Sequence, residues 1–314
     1  MKIAIVKLSA LGDIVQSMIV LQFIKKQYPK GRARVNILKT GKESHWFHWI
    51  EADALNVEVE GLSYIFGTGG LHASVESQTV GTDDEFMMLD LDVTSYYPSL
   101  AIENKLFPKH LGENFCDIYA DMKTQRTSYA KGTAENAMLK LALNGTYGNS
   151  NNKYSPFFDP KFTMSITVNG QLLLCMLAEE LLKIKNLSVV QVNTDGITVK
   201  FPRVSQDSVR QVANEWEKTT DLQLEEANYS AMYIRDVNNY IAEYVGGSVK
   251  RKGAYEYELG LHQNASALVV RKAAEAYLLN GTDIKHFIMH HQDPFDFYLR
   301  AKVPRSSKLV LRTD

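Results

Sequence analysis

Four short segments of this sequence hold residue types suited to phosphate chemistry. The first is MMLDLDVTSYYPS, residues 87–99, where Asp90 and Asp92 alternate along an expected strand. Alternation puts both carboxylates on one face near the strand end. The small and aromatic residues that follow form a turn whose backbone N–H groups can face an anion. Taken alone, such carboxylates are usually solvated or cap a turn. The second segment is an expected hairpin over 189–201 with Asn193-Thr194-Asp195-Gly196 at its tip. An N-x-D-G tip is ordinary turn chemistry. Beside a strand ending in Asp92, Asp195 would complete a carboxylate pair around one or two hard cations such as Mg²⁺. Two ions ~3.5–4 Å apart can clamp the attacking and leaving oxygens of a phosphoryl transfer.

The third segment is KLALNGTYG, residues 140–148. On a helix Lys140, Asn144 and Tyr147 fall at i, i+4 and i+7, on a common face. A cation, an amide and an aromatic hydroxyl together are unusual for a core stripe, although a half-exposed amphipathic helix would also show them. Lys140 would serve a triphosphate as a mobile point charge. Arg126, on the preceding expected helix, could grip phosphate bidentately. The fourth segment, VKRKGAYEYE at 249–258, places three cations before two tyrosines. A charged surface strand is the plain reading. Cations interleaved with aromatics also suit a phosphate backbone and sugar face.

In order and spacing, DVTSYYPS, KLALNGTYG, QVNTDG and KRKGAY resemble the polymerase motif series of family B DNA polymerases, the phage and plasmid-type members most of all. The resemblance covers roughly residues 60–314. FGTGGLHAS, around Gly69 and Gly70, is similar to the glycine-pair motif such enzymes place before the polymerase region. The resemblance implies that Asp92 and Asp195 are the catalytic carboxylates that hold two Mg²⁺ ions, with the Val93 carbonyl as an extra ligand. Ser95 and Tyr96 would offer backbone N–H groups to the dNTP triphosphate. Tyr97 would be the steric gate against a ribose 2′-OH. Lys140 and Arg126 would hold the triphosphate, with Asn144 beside it, and Tyr147 and Gly148 would border the nascent base pair. Gly69, Gly70, Lys252 and Tyr255 would contact primer–template DNA, with Lys250 a rival for the lysine role. Asn193 stands where the family usually has a first motif aspartate. No DxE pair sits on an expected strand before the first motif, so no proofreading exonuclease is expected.

These residues need elements to position them. Residues 86–92 read as a buried strand, and 113–131 and 133–149 as two helices meeting at Gly132, with Thr133 as an N-cap. A long apolar helix is expected over 165–185, a second hairpin over 239–258 and helical pattern over 268–279. Strands and helices mixed without βαβ alternation point to α+β. With the resemblance, this becomes an antiparallel palm sheet, helical-hairpin fingers at about 112–164 and a partial thumb from about 260. Residues 41–84 form a pre-palm segment and 85–314 the polymerase palm.

Residues 1–40 read as an appended strand–loop–helix and junction. MKIAIVKLSALGDIVQSMIVLQFIKKQYP resembles the opening of lipopolysaccharide heptosyltransferases, which implies a catalytic role for Asp13. Glycosyl transfer is therefore one alternative, and an inactive DNA-binding polymerase fragment is another. The 314 residues are 45% hydrophobic and 23% charged, which excludes a mainly disordered chain. A net charge of −1 shows no overall pull toward nucleic acid, but local fields steer ligands. Two cysteines exclude a disulfide framework and read as reduced thiols. No run of ~18 apolar residues is present, so no membrane partner is expected and the cytoplasm is the default location.

Overall fold

The computed structural model describes residues 55–67, 69–260, 263–300, 303–308 and 310. The expected strand–loop–helix and junction at residues 1–40 lie outside the described residues. The architecture is α+β, with seven α-helices among the described residues. The chain divides into two compact units, one of residues up to Val75 plus Gly81–Ser230, the other of Glu76–Val80 plus the residues from Ala231 onward.

The first unit is built on strands β1 (Leu55–Val59), β2 (Leu62–Phe66), β3 (Leu71–Ser74), β5 (Phe86–Val93), β6 (Ser188–Asn193) and β7 (Gly196–Pro202), with β4 (Gln78–Gly81) between β3 and β5 in sequence. Strand β8 (Leu224–Asp236) begins in this unit. The lateral order is β1-β2-β3-β6-β7-β5-β8, and every neighbouring pair is antiparallel. Strand β5 therefore sits in the interior of the sheet with partners on both sides. Its alternation decides what each face carries. Leu89, Leu91 and Val93 join Ile197, Val199 and Phe201 in the hydrophobic core. Asp90 and Asp92 take the opposite parity.

Five helices belong to this unit: α1 (Tyr96–Glu103), α2 (Asn114–Thr127), α3 (Ala134–Asn149), α4 (Pro160–Leu181) and α5 (Gln206–Thr220). Helix α4 supplies Phe162, Ile166, Leu174, Leu177 and Leu181 to the core, and α5 adds Val209, Ala213 and Trp216. The Trp216 indole N–H donates to the Leu173 carbonyl at 2.8 Å, joining α5 to α4. Helices α2 and α3 form the expected hairpin. Thr133 caps α3 by accepting from the Asn136 N–H at 3.3 Å, as its position before an amphipathic run implies. The Asn136 amide closes the turn by donating to the Arg126 and Tyr129 carbonyls.

The long helix starts five residues before its expected beginning. Asp159 accepts from the Lys161 and Phe162 N–H groups at 3.0 and 3.1 Å, and Pro160 occupies the first helical turn, where its missing N–H costs nothing. By length and composition α4 could cross a membrane, but half of its apolar window is buried inside the protein. Burial pushes the Cys175 thiol on this helix up to about 12.

The second unit contains β4, the later part of β8, the hairpin β9 (Asn239–Tyr244) and β10 (Val249–Arg251), and helices α6 (Leu268–Asn280) and α7 (Ile284–His290). The hairpin is antiparallel and shorter than expected, because Gly253–Tyr255 forms a 3₁₀ turn. Arg251 pairs with Glu275, and Asp296 is enclosed by Lys272 at 2.6 Å and His291 at 2.5 Å.

Asp90 is a buried carboxylate with a structural job. Its Oδ1 accepts from the Thr198 hydroxyl and its Oδ2 from the Tyr229 hydroxyl, both at 2.6 Å, bridging β7, β5 and β8. Removing a donor from a buried carboxylate costs the desolvation no longer repaid. Tyr229→Phe is therefore expected to lower stability by about 1–3 kcal/mol, read as a shifted urea midpoint with unchanged slope.

Candidate active site

Segments far apart in sequence meet at one cleft. Antiparallel pairing sets Asp92 opposite Gly196, and the Val93 N–H donates to the Asp195 carbonyl at 2.7 Å. The strand end that carries Asp92 and the hairpin tip that carries Asp195 are thereby held side by side by backbone. Gly196 makes a close approach here. A Cβ at this position would lie 2.1 Å from Asp92 Oδ1. Asp92 thus uses the space that any side chain at 196 would fill.

Two residues of the site sit in the left-handed backbone region without being glycine. Ser95 has φ 49° and Thr194 φ 57°. For a β-branched residue this is a costly conformation that surrounding structure must hold. Thr194 is held by its N–H to the Leu71 carbonyl at 2.9 Å and by its hydroxyl against His72 Nε2 at 3.0 Å. Burial lowers the His72 pKa, so the neutral imidazole is favoured there. Ser95 accepts at Oγ from Arg126 Nη1 at 2.7 Å, tying α2 to the turn that opens α1.

The cleft has a volume of about 820 Å³. Its lining includes Asp92, Val93, Ser95, Tyr96, Tyr97, Arg126, Lys140, Asn144, Tyr147 and Asp195. The structure thus gathers ten residues that were singled out from four separate stretches of sequence. Lys140, Asn144 and Tyr147 face it from α3, as their helical spacing implies. The Tyr97 and Tyr147 rings pack at 4.2 Å between centroids, and Tyr96 stacks behind Tyr97 at 5.7 Å. Burial raises the pKa of both Tyr96 and Tyr97, keeping their hydroxyls protonated. The Tyr96 hydroxyl donates to the Gly170 carbonyl of α4 at 2.6 Å.

Other expected residues take other places. Gly69 and Gly70 do not line the cleft but touch its wall, since the Tyr97 hydroxyl donates to the Gly69 carbonyl at 2.5 Å. Gly148 is exposed on α3 and outside the lining. Lys252 and Tyr255 belong to the second unit.

Lys123, Lys131, Thr194 and Glu225 also line the cleft and were not anticipated. Lys123 lies three residues before Arg126, which puts both on one helix face, so a signal was available. Partial burial lowers the Lys123 pKa, with Glu103 opposing the effect. Glu225 sits opposite Asp92 on β8 and pairs with Lys131 at 2.8 Å. Both partners are largely exposed, so this pair contributes little to stability. The Nε of Arg126 is buried with no hydrogen-bond partner, an uncommon state for a guanidinium.

Hard oxygen donors, with no thiolate or imidazole in the lining, suit a cation such as Mg²⁺. Among the described residues no three His, Cys, Asp or Glu side chains gather as a metal group. A cation at Asp92 and Asp195 would therefore complete its shell with backbone carbonyl, water or a ligand's own oxygens.

No known protein-family profile matches the chain. A stretch of 47 residues is 55% identical to lipopolysaccharide heptosyltransferase 1 of Campylobacter coli, covering 15% of this chain and 10% of that protein. Among solved structures, the family B DNA polymerase of the hyperthermophilic archaeon Pyrobaculum calidifontis is similar with a TM-score of 0.44 and 12% identity. That likeness covers 75% of this chain and 34% of the polymerase chain. This chain spans about a third of that structure and a tenth of the curated relative.

The glycine contact generates a stability contrast. Gly196→Ala forces Asp92 aside and is expected to cost about 1–3 kcal/mol. Gly148→Ala adds a methyl to open space on a helix, and should gain about 0.5–1 kcal/mol. Thermal or urea unfolding of the two variants beside wild type measures both; a tolerated Gly196→Ala would contradict the packing described.

Proposed function

We propose that this chain is a template-directed DNA polymerase core, adding deoxynucleotides to a primer 3′-hydroxyl. One observation carries the reading: the division of charge across the cleft. Asp92 and Asp195 stand on the sheet side, while Lys123, Arg126, Lys131 and Lys140 come from the helical hairpin and its turn. Phosphoryl transfer asks for in-line positioning and charge neutralisation more than for covalent help. A cleft with hard oxygen donors on one wall and cations on the other meets both needs.

In this reading the sheet is the palm, α2 and α3 are the fingers, and the helices after residue 260 begin the thumb. Asp92 and Asp195, with the Val93 carbonyl, would hold two Mg²⁺ ions. When bound, such ions stabilise charge on the reacting phosphate and favour an ionised 3′-oxygen. Lys140 and Arg126 grip the triphosphate, and a phosphate oxygen gives the orphaned Arg126 Nε its acceptor. The Ser95 and Tyr96 backbone N–H groups and Asn144 complete the dNTP contacts. Tyr97, braced on Tyr147, excludes a 2′-hydroxyl. Gly69, Gly70, Lys252 and Tyr255 contact the primer–template. No proofreading activity is proposed.

The alternative of an inactive fragment that only binds DNA shares the same surface and is separated by turnover. Glycosyl transfer through Asp13 rests on residues outside the described structure, and nothing among the described residues favours it.

Primer extension with Mg²⁺ and labelled dNTPs tests the proposal. Wild type is expected to extend the primer, and Asp92→Ala or Asp195→Ala to lower the rate by on the order of 10³-fold, the several kcal/mol that metal-assisted charge stabilisation supplies. Duplex binding with no wild-type extension would leave the inactive fragment standing and remove the polymerase.

A further inference from the structure

A buried amide that the proposed chemistry does not use sits behind Tyr97. Gln171 lies on α4, and its Nε2 donates to two carbonyl oxygens, Gly67 at 2.6 Å and Gly70 at 3.0 Å. The Gly67 N–H also donates to the Gly70 carbonyl at 3.0 Å, so the glycine turn closes around the amide. Inside that turn the Gly69 carbonyl accepts from the Tyr97 hydroxyl. The approach is tight: a Cβ on Gly70 would lie 3.0 Å from Tyr97 Oη and 3.1 Å from Thr194 Cγ2.

The physical consequence concerns how firmly one aromatic ring is held. A tyrosine ring moves about two side-chain torsions. Stacking on Tyr147 fixes the ring face, and the Gly69 carbonyl fixes its far end. That carbonyl is only as rigid as its turn, and Gln171 is the side chain that holds the turn to α4. A ring that rejects a substrate by steric exclusion loses selectivity when it can yield by a fraction of an ångström. Loss of the amide would also leave the Gly67 carbonyl in need of a new donor and the Gly70 carbonyl with the Gly67 N–H alone, which loosens the turn from α4.

We propose that Gln171 is a positioning residue for nucleotide-sugar selectivity, acting through the glycine turn on the Tyr97 hydroxyl. The inference rests on the polymerase reading above. It predicts a chain of dependence, Gln171 to the Gly67–Gly70 turn to Tyr97, in which breaking either end has the same effect.

The test is primer extension by the full chain, comparing kcat/KM for a dNTP and for the matching rNTP. Gln171→Leu keeps the side-chain size and removes the amide; Tyr97→Phe keeps the ring and removes the hydroxyl. The dNTP-to-rNTP ratio is expected to fall about tenfold in each, the order of one positioning hydrogen bond, through a lower KM for the rNTP. The double variant should fall no further, because both changes break one path. Gln171→Leu should keep its dNTP kcat within a few-fold. An unchanged ratio in Gln171→Leu, or equal losses with both nucleotides, would overturn the proposal. If Gln171→Leu does not fold, an unchanged ratio in Tyr97→Phe overturns it instead. Failure of wild type to extend with either nucleotide contradicts the underlying polymerase reading, and is distinct from an active enzyme with unaltered selectivity.

Discussion

The antiparallel pairing of β5 with β7 is the constraint on which the site depends. It places Asp92 over Gly196, where a Cβ would displace the carboxylate as it stands, and joins the Val93 N–H to the Asp195 carbonyl. A one-residue slip would exchange the faces of β5, sending Leu89, Leu91 and Val93 out of the core. Burying a side chain of that size is worth about 1.5–3 kcal/mol. Three such residues therefore hold the register that aims the carboxylate. Asp90 adds a second lock, since its bonds to Thr198 and Tyr229 can form only in this register.

With the carboxylates fixed on the sheet, the cations can be carried by a separate element. The α2–α3 hairpin brings Lys123, Arg126 and Lys140 to the cleft, and Arg126 is anchored to Ser95 beside the carboxylates. Energetically the exposed Lys131–Glu225 pair adds little. The hairpin is held instead by buried groups. Tyr119 donates to the Leu143 carbonyl between its two helices, and the Asn136 amide closes its turn. A rigid floor and an anchored cationic wall leave strain at Ser95 and Thr194, both at the mouth of the site.

Much of the candidate site was legible because its residues fall in short motifs that are weak singly but specific in their order and spacing. Helical spacing placed Lys140, Asn144 and Tyr147 on a common face, and the N-T-D-G tetrapeptide marked a hairpin tip. The α+β class followed from the mixture of periods. What escaped was non-local. Strand β8 was overlooked because it spans 13 residues of mixed burial, and with it Glu225, whose place beside Asp92 depends on cross-strand pairing alone. Helix α5 did carry a readable pattern in Val209, Ala213 and Trp216. Helix α4 began early because Asp159-Pro160 is a cap and first turn, which apolar counting alone does not register. By strand alternation alone Asp90 and Asp92 looked equivalent, and the motif resemblance singled out Asp92. The structure adds the physical reason: the Thr198 and Tyr229 hydroxyls occupy Asp90, while Asp92 lines the cleft.

The central claim is that Asp92 and Asp195 act together as a cation site beside a triphosphate. Paramagnetic titration with Mn²⁺, a close stand-in for Mg²⁺, reads this directly in the presence of a dNTP. The account predicts that wild type with dNTP binds Mn²⁺ more tightly than either component alone, and that Asp92→Ala or Asp195→Ala abolishes the gain. An equal gain in a variant lacking both carboxylates would contradict it.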